Sequence, residues 1–239
     1  MSAPGLDLQL MELMDLPRTV ERSSINFMGC YAAIHGLKMA DRICQTDPSA
    51  RVLVVCTELC TLHFQREATA DNIASSLLFG DGSAAVLVTP DHFQLKGLQL
   101  TSFYSEVVPK GKKDMSWELS STGFLMTLSG YVPDLIEEDF ESLVERALQK
   151  TGLNKTEIAQ WCIHPGGKKI LEVIQKKLAL PENALESSYQ VLKEQGNMSS
   201  PTILFVLKKM MNSTSEKNKR LFGAAFGPGL TMETFIATY

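Results

Sequence analysis

Three residues stand where a chain could carry out acyl chemistry: Cys30, His164 and Asn197. Cys30 lies within Asn26-Phe-Met-Gly-Cys-Tyr-Ala-Ala-Ile-His35. The apolar run from Ile25 to Met28 reads as a short strand that stops at Gly29. From Tyr31 the pattern becomes helical, with small and apolar residues at Ala32, Ala33, Ile34, Leu37, Met39, Ala40 and Ile43. Cys30 is therefore expected on the first turn of a helix that is apolar nearly all round. Free amides and the positive end of the helix dipole there favour a thiolate over a thiol. Gly29 removes a side chain where another group must come close. A buried cysteine can equally be inert, so the chemistry depends on what meets it.

Two later junctions have the same form. His164 follows the end of a short strand at Ile163 and precedes Pro-Gly-Gly167, and Asn197 sits between Gly196 and Met198 just before a helix start. In open α/β sheets, sites gather where strands end and helix N-termini point inward. A cysteine nucleophile, a histidine as base or oxyanion donor, and an asparagine as second donor form a coherent set. The same types in the same order also describe a papain-like protease, whose cysteine–histidine gap is roughly 130–150 residues. The gap here is 134 positions. That reading is set aside, because Met-Gly-Cys-Tyr-Ala-Ala lacks the local protease signature and the flanking strands suit a covered sheet.

The positioning elements alternate between strand and helix. Leu6 to Leu16 reads as a helix, Arg22 to Met28 as a strand, and the helix from Cys30 ends near Asp47-Pro48. Arg51-Val-Leu-Val-Val-Cys56 is a continuous apolar run of the kind found in a sheet covered on both faces. Ser83 to Val88 is a second buried strand, after which Thr89-Pro90-Asp91 marks a boundary. Two halves are expected, 1–90 carrying the nucleophile and 91–239 following. In the second, strands are read near Leu95 to Ser105 and Gly123 to Ser129, and a long amphipathic helix over Pro133 to Thr151. Helices follow from Lys168 to Leu178 and from Pro201, which suits a first helical turn. Strands Leu221 to Phe226 and Thr231 to Thr238 close the chain. The class is α/β with buried sheets.

Composition bounds the function. Of 239 residues, 44% are hydrophobic and 21% charged, which fits a globular protein, and the formal charge of −4 gives no global attraction to nucleic acid. No apolar run reaches membrane-span length. Five cysteines without a regular framework or an export pattern suggest a reducing cytoplasm. Cys56, Cys60 and His63 have metal-ligand types, but no fourth ligand is at hand and zinc is not expected. Gly80-Asp-Gly82 lacks the Gly-Lys-Ser/Thr ending of a phosphate loop. Lys217 to Arg220 reads as a solvated turn.

Six stretches taken together are recognisable: Gly29-Cys30, Arg51 to Glu58, Leu78-Phe-Gly-Asp-Gly82, His164-Pro-Gly-Gly167, Gly196-Asn-Met-Ser-Ser200, and Gly223 to Leu230. In this order they resemble the chalcone synthase-like type III polyketide synthases, condensing enzymes of the thiolase superfamily. The resemblance implies a layered αβαβα fold, with a shortened first half and a full second half because the family chain carries a further N-terminal segment. The isolated chain is accordingly expected to show little turnover. Cys30 would take an acyl starter from coenzyme A. His164 and Asn197 would hold the thioester oxygen and the enolate formed when malonyl-coenzyme A loses carbon dioxide. Phe79 would stand where tunnel meets cavity. Glu58 would support the site through a hydrogen bond. Substrates would be acyl- and malonyl-coenzyme A, with no metal or organic cofactor, and the family form is a homodimer. A carrier-protein-dependent ketoacyl synthase III-like enzyme and a non-catalytic fragment are the alternatives.

Substrate-contacting positions depart from the plant pattern. Met126 replaces a second gating phenylalanine, Trp117 replaces a cavity glycine, and Cys60 and His63 stand where threonines are common. Ser199 joins this set from the Gly196–Ser200 stretch. The combination is similar to microbial members that accept fatty acyl starters. Lys168 and Lys169 are read as a solvated helix face.

Overall fold

The computed structural model of the chain describes residues 4–120, 123–130, 132–213 and 219–239. Strands β1 (Val52–Leu59) and β2 (Asp81–Val88) pair antiparallel, Val54 opposite Val86 and Cys56 opposite Ala84. A larger mixed sheet runs β3 (Gln99–Val107), β8 (Thr231–Thr238), β7 (Arg220–Gly227) and β6 (Gln160–Ile163), with only β6 and β7 parallel. Strands β4 (Met115–Ser120) and β5 (Gly123–Leu128) form a separate hairpin.

Helices α2 (Ala32–Thr46) and α7 (Pro201–Ser213) fill the space between the two larger sheets. Ala33, Ile34 and Leu37 of α2 share one core with Ile203, Val206 and Met210 of α7. That core also takes in Val54 and Val86 from one sheet and Leu221, Ala225 and Phe235 from the other. Helices α4 (Val132–Gln149) and α5 (Lys168–Lys177) cover the opposite face of the four-stranded sheet. On α4 the buried residues Ile136, Phe140, Leu143, Val144 and Leu148 recur at helical spacing. They pack with Ile170, Leu171 and Ile174 of α5 against Phe222, Phe226 and Ile236. Each such side chain contributes about 1.5–3 kcal/mol on full burial. The layers thus run sheet, helices, sheet, helices, four of the five layers in the αβαβα order that the resemblance implies. The remaining helices are α1 (Leu6–Leu13), α3 (Ala70–Leu78) and α6 (Glu186–Gln195).

Three expectations are corrected. Residues 21–27 form no strand; Ile25 and Phe27 are exposed, and Phe27 adopts a φ of 58°. Strand β1 is not covered on both faces. Its inward residues Val54 and Cys56 meet α2 and α7, while Leu53 (41% exposed) and Leu87 of β2 (52%) look outward. No helix among the described residues buries that outer face. Helix α2 is also not buried all round, since its apolar residues Met39 and Ile43 are exposed.

One charged group lies inside the central layer. Lys38 of α2 donates to both carboxylate oxygens of Glu233 on β8 at 2.8 Å and to Ser105 Oγ on β3 at 2.7 Å. His35 Nδ1 lies 3.7 Å from the same carboxylate. Such a pair is tolerable in an interior because each charge is matched and hydrogen-bonded.

Candidate active site

Cys30 sits in a short 3-10 turn, Gly29–Tyr31, that runs directly into α2. Gly29 has a φ of +63°, and a Cβ there would lie 2.5 Å from the Pro228 ring. Gly227 in the same β7–β8 turn leaves room for the Tyr31 ring, which a Cβ would approach to 2.5 Å. The close approach expected at Gly29 is therefore made by the far end of the chain. The two glycines let the β7–β8 turn rest on the cysteine turn.

Asn197 is fixed from both sides. Its N–H donates to the Leu78 carbonyl at 2.9 Å, and its own carbonyl accepts from the Gly80 N–H at 3.0 Å. These bonds pair Asn197 with Phe79 as an isolated parallel bridge. Gly196 makes the sharp entry with φ 72° and ψ −166°, a combination open essentially to glycine alone. The side-chain oxygen Oδ1 accepts from the Ser199 N–H at 2.8 Å and lies 3.9 Å from Cys30 Sγ. The amide Nδ2 is 3.4 Å from the carbonyl oxygen of Gly166, two residues beyond His164. An N–H cannot donate to an NH2 group, so the Ser199 contact sets which end of the carboxamide is oxygen.

His164 is 1% exposed, and its backbone N–H bonds the Ala224 carbonyl of β7 at 2.8 Å. Both ring nitrogens are buried without a hydrogen-bond partner. Burial lowers the imidazole from 6.5 to about 3, so the ring is neutral across the physiological range. Burial likewise pushes the Cys30 thiol up to about 11, and the nearby Glu58 charge adds to this; hydrogen bonds from Ser199 and Asn197 pull the other way. The expected thiolate is thus corrected: desolvation outweighs the helix-start position, and Cys30 rests as a thiol with His164 a neutral imidazole. Unpartnered ring nitrogens at such depth are unusual.

Glu58, at the inner end of β1, accepts from Ser200 Oγ at 2.8 Å and Ser199 Oγ at 3.4 Å. Burial raises its pKa and these hydroxyls partly offset that. Ser199 lies in the left-handed region at φ 60° and is 4% exposed, so a strained residue is held inside the site.

The other positions fall around this centre. Cys60 opens the short turn Cys60–His63 after β1, and its thiol is raised to about 12, by burial first and then by the charge of Glu58. His63 closes that turn and meets Trp117 of β4 edge to face, with ring centroids 4.5 Å apart. Met126 stands opposite Trp117 in the hairpin register, but its side chain lies outside the described residues. Phe79, the C-cap of α3, is half-buried at the bridge to Asn197. Lys168 and Lys169 pair with Glu172 and Asp134 on an exposed face. Of the Lys217–Arg220 turn, Lys217 lies outside the described residues, while Arg220 pairs with Glu157 at 3.0 Å. Sequence reasoning missed Thr202, whose only local signal was a hydroxyl in the first turn of a helix.

Comparison with known proteins accounts for nearly the whole chain. Residues 1–92 match the family model for the N-terminal domain of chalcone and stilbene synthases, and residues 99–238 match that for the C-terminal domain. The first of these matches identifies residues 1–92 as N-terminal-domain sequence. Among solved structures, the chain is similar to PKS-I from the brown alga Ectocarpus siliculosus, at 27% identity and a TM-score of 0.92. It is also similar to the C-terminal type III polyketide synthase domain of Steely1, a type I/III hybrid from Dictyostelium, at 29% and 0.90. A third is 1,3,6,8-tetrahydroxynaphthalene synthase from Streptomyces coelicolor, at 26% and 0.92. All of this chain is covered in each case, and it spans 65%, 67% and 68% of those chains. The chain belongs to the chalcone and stilbene synthase family.

Proposed function

We propose that the chain is a condensing acyltransferase of the type III polyketide synthase kind. The observation that carries this reading is the orientation of Asn197, whose oxygen faces Cys30 and whose amide nitrogen faces the His164 loop. That orientation supports reading Asn197, with His164, as a donor to a thioester oxygen. Two of the solved relatives named above, those from Dictyostelium and Streptomyces, are described as type III polyketide synthases, which supports the same chemistry.

In the first step Cys30 sulfur attacks the carbonyl carbon of an acyl-coenzyme A. Because both groups rest neutral, the thiol proton passes to His164 as the carbon–sulfur bond forms. The oxyanion is held by the Asn197 amide, and one such donor is worth about 3–4 kcal/mol in a transition state. Coenzyme A leaves as a thiol after taking the proton back from His164. Malonyl-coenzyme A then loses carbon dioxide, and the electron pair of the broken carbon–carbon bond becomes an enolate at the same donors. Its carbon attacks the Cys30 thioester, expelling the sulfur. These steps need no metal or organic cofactor. Cys60, Ser199 and Phe79 border the space beside Cys30, and the His63–Trp117 contact is assigned the choice of starter.

Incubating the chain with a fatty acyl-coenzyme A and malonyl-coenzyme A tests the reading against carrier-protein dependence. Turnover of this chain is expected to be low, and the condensed product that forms comes from the free coenzyme A thioesters and not from acyl carrier-protein thioesters; Cys30→Ala abolishes it. Preference for the carrier-protein thioester, or undiminished product from Cys30→Ala, contradicts it.

A further inference from the structure

We propose that Thr202 is a positioning residue that fixes the rotation of the Asn197 carboxamide, and so aims its amide at the reacting oxygen. The proposal rests on the reading above that Asn197 is an oxyanion donor.

Thr202, in the first turn of α7, is fully buried. Its hydroxyl accepts from the Met198 N–H at 2.8 Å and lies 2.8 Å from the Ser199 carbonyl oxygen and 3.5 Å from Asn197 Oδ1. A hydroxyl has one proton to give. The shorter contact takes it, so Thr202 ties down the Asn197–Met198 peptide through the Met198 N–H and the Ser199–Ser200 peptide through the Ser199 carbonyl. Held at both ends in this way, the Met198–Ser199 pair keeps Ser199 at φ 60°, a conformation a non-glycine residue does not keep unaided. That strained turn is what points the Ser199 N–H at Asn197 Oδ1. Without the hydroxyl, Ser199 can relax toward ordinary φ and its N–H swings away. Asn197 Oδ1 then loses its shortest donor, and the carboxamide is free to turn its oxygen toward the developing oxyanion. A donor would become a repulsive acceptor at the same spot.

The backbone of Asn197 would stay in place, because its bonds to Leu78 and Gly80 do not involve Thr202. The predicted loss is therefore one of side-chain direction. Thr202→Val keeps the shape and removes the hydroxyl, Thr202→Ser keeps the hydroxyl, and Thr202→Cys offers only a weak donor.

The experiment measures release of carbon dioxide from carboxyl-labelled malonyl-coenzyme A and steady-state condensation for these variants, for Asn197→Ala and for Thr202→Val/Asn197→Ala. Thr202→Val is expected to lower kcat about tenfold to a hundredfold, below the full loss of an oxyanion donor, with KM for the acyl-coenzyme A within about twofold. Thr202→Ser is expected to restore most of the rate and Thr202→Cys to fall between. The double variant should be no slower than Asn197→Ala alone, as for two groups acting through one. Unchanged kcat in Thr202→Val, or a loss that multiplies fully onto Asn197→Ala, overturns the Thr202 assignment while leaving Asn197 as a donor. Full activity in Asn197→Ala overturns both. If the valine variant does not fold, the order of threonine, serine and cysteine rates decides: equal rates overturn the proposal.

Discussion

At the scale of residues, the site is governed by burial more than by charge. Cys30 has the helix-start position that would favour a thiolate, and the sequence expectation followed from that. The folded environment removes water from both Cys30 and His164 and holds each neutral, near 11 and 3 respectively. For His164 the sign follows directly. Its folded pKa lies below the ordinary 6.5, so stability is full above pH 6.5 and is lost as pH falls toward about 3. One such proton is worth about 1.4 kcal/mol per pH unit over that window. Urea unfolding of His164→Asn at pH 7 and pH 5 should therefore show a smaller acid-side drop than the parent chain; an identical drop would remove burial of His164 as the cause. Both residues could be picked from the sequence by their junctions. Their ionisation could not, because desolvation depends on the layers that close over them.

At the scale of elements, what was legible is what repeats locally. Helix α4 announces itself through Ile136, Phe140, Val144 and Leu148, and β7 and β8 through apolar runs that are buried almost end to end. The run at β1 has the same composition but a different fate, since its alternate residues face outward. Composition reports that a strand can be covered, and only the partners decide whether it is. The segment before Gly29 shows the converse: its apolar residues find no neighbouring strand and stay in an irregular, exposed path. Nor could a sequence pattern place Lys38 of α2 against Glu233, 195 positions away. Lys38→Met strands the Glu233 carboxylate in the interior and is expected to cost about 3–5 kcal/mol. Lys38→Met with Glu233→Leu should recover much of that loss in chemical denaturation. A single variant as stable as the parent would mean that the pair holds nothing together.

At the scale of the molecule, the candidate site belongs to neither half alone. Cys30 arrives on the turn that leads into α2, within residues 1–92, while His164 follows β6 and Asn197 precedes α7, within residues 99–238. The Phe79–Asn197 bridge and the contact of Gly29 with Pro228 join these segments across the central layer. The order of motifs made that convergence legible, since Gly29-Cys30, His164-Pro-Gly-Gly167 and Gly196-Asn197 each stand at a junction. The hydrogen bonds that orient Asn197 were not legible, because they depend on the unusual φ of Ser199. The central claim is that this assembly makes Cys30 an acyl-carrying nucleophile. The most direct test is intact mass, followed by peptide mapping, after incubation with an acyl-coenzyme A and no malonyl-coenzyme A. The account predicts a mass increase of one acyl group on the peptide containing Cys30, absent in Cys30→Ala. No adduct, or one that persists in Cys30→Ala on another cysteine such as Cys60, would contradict it.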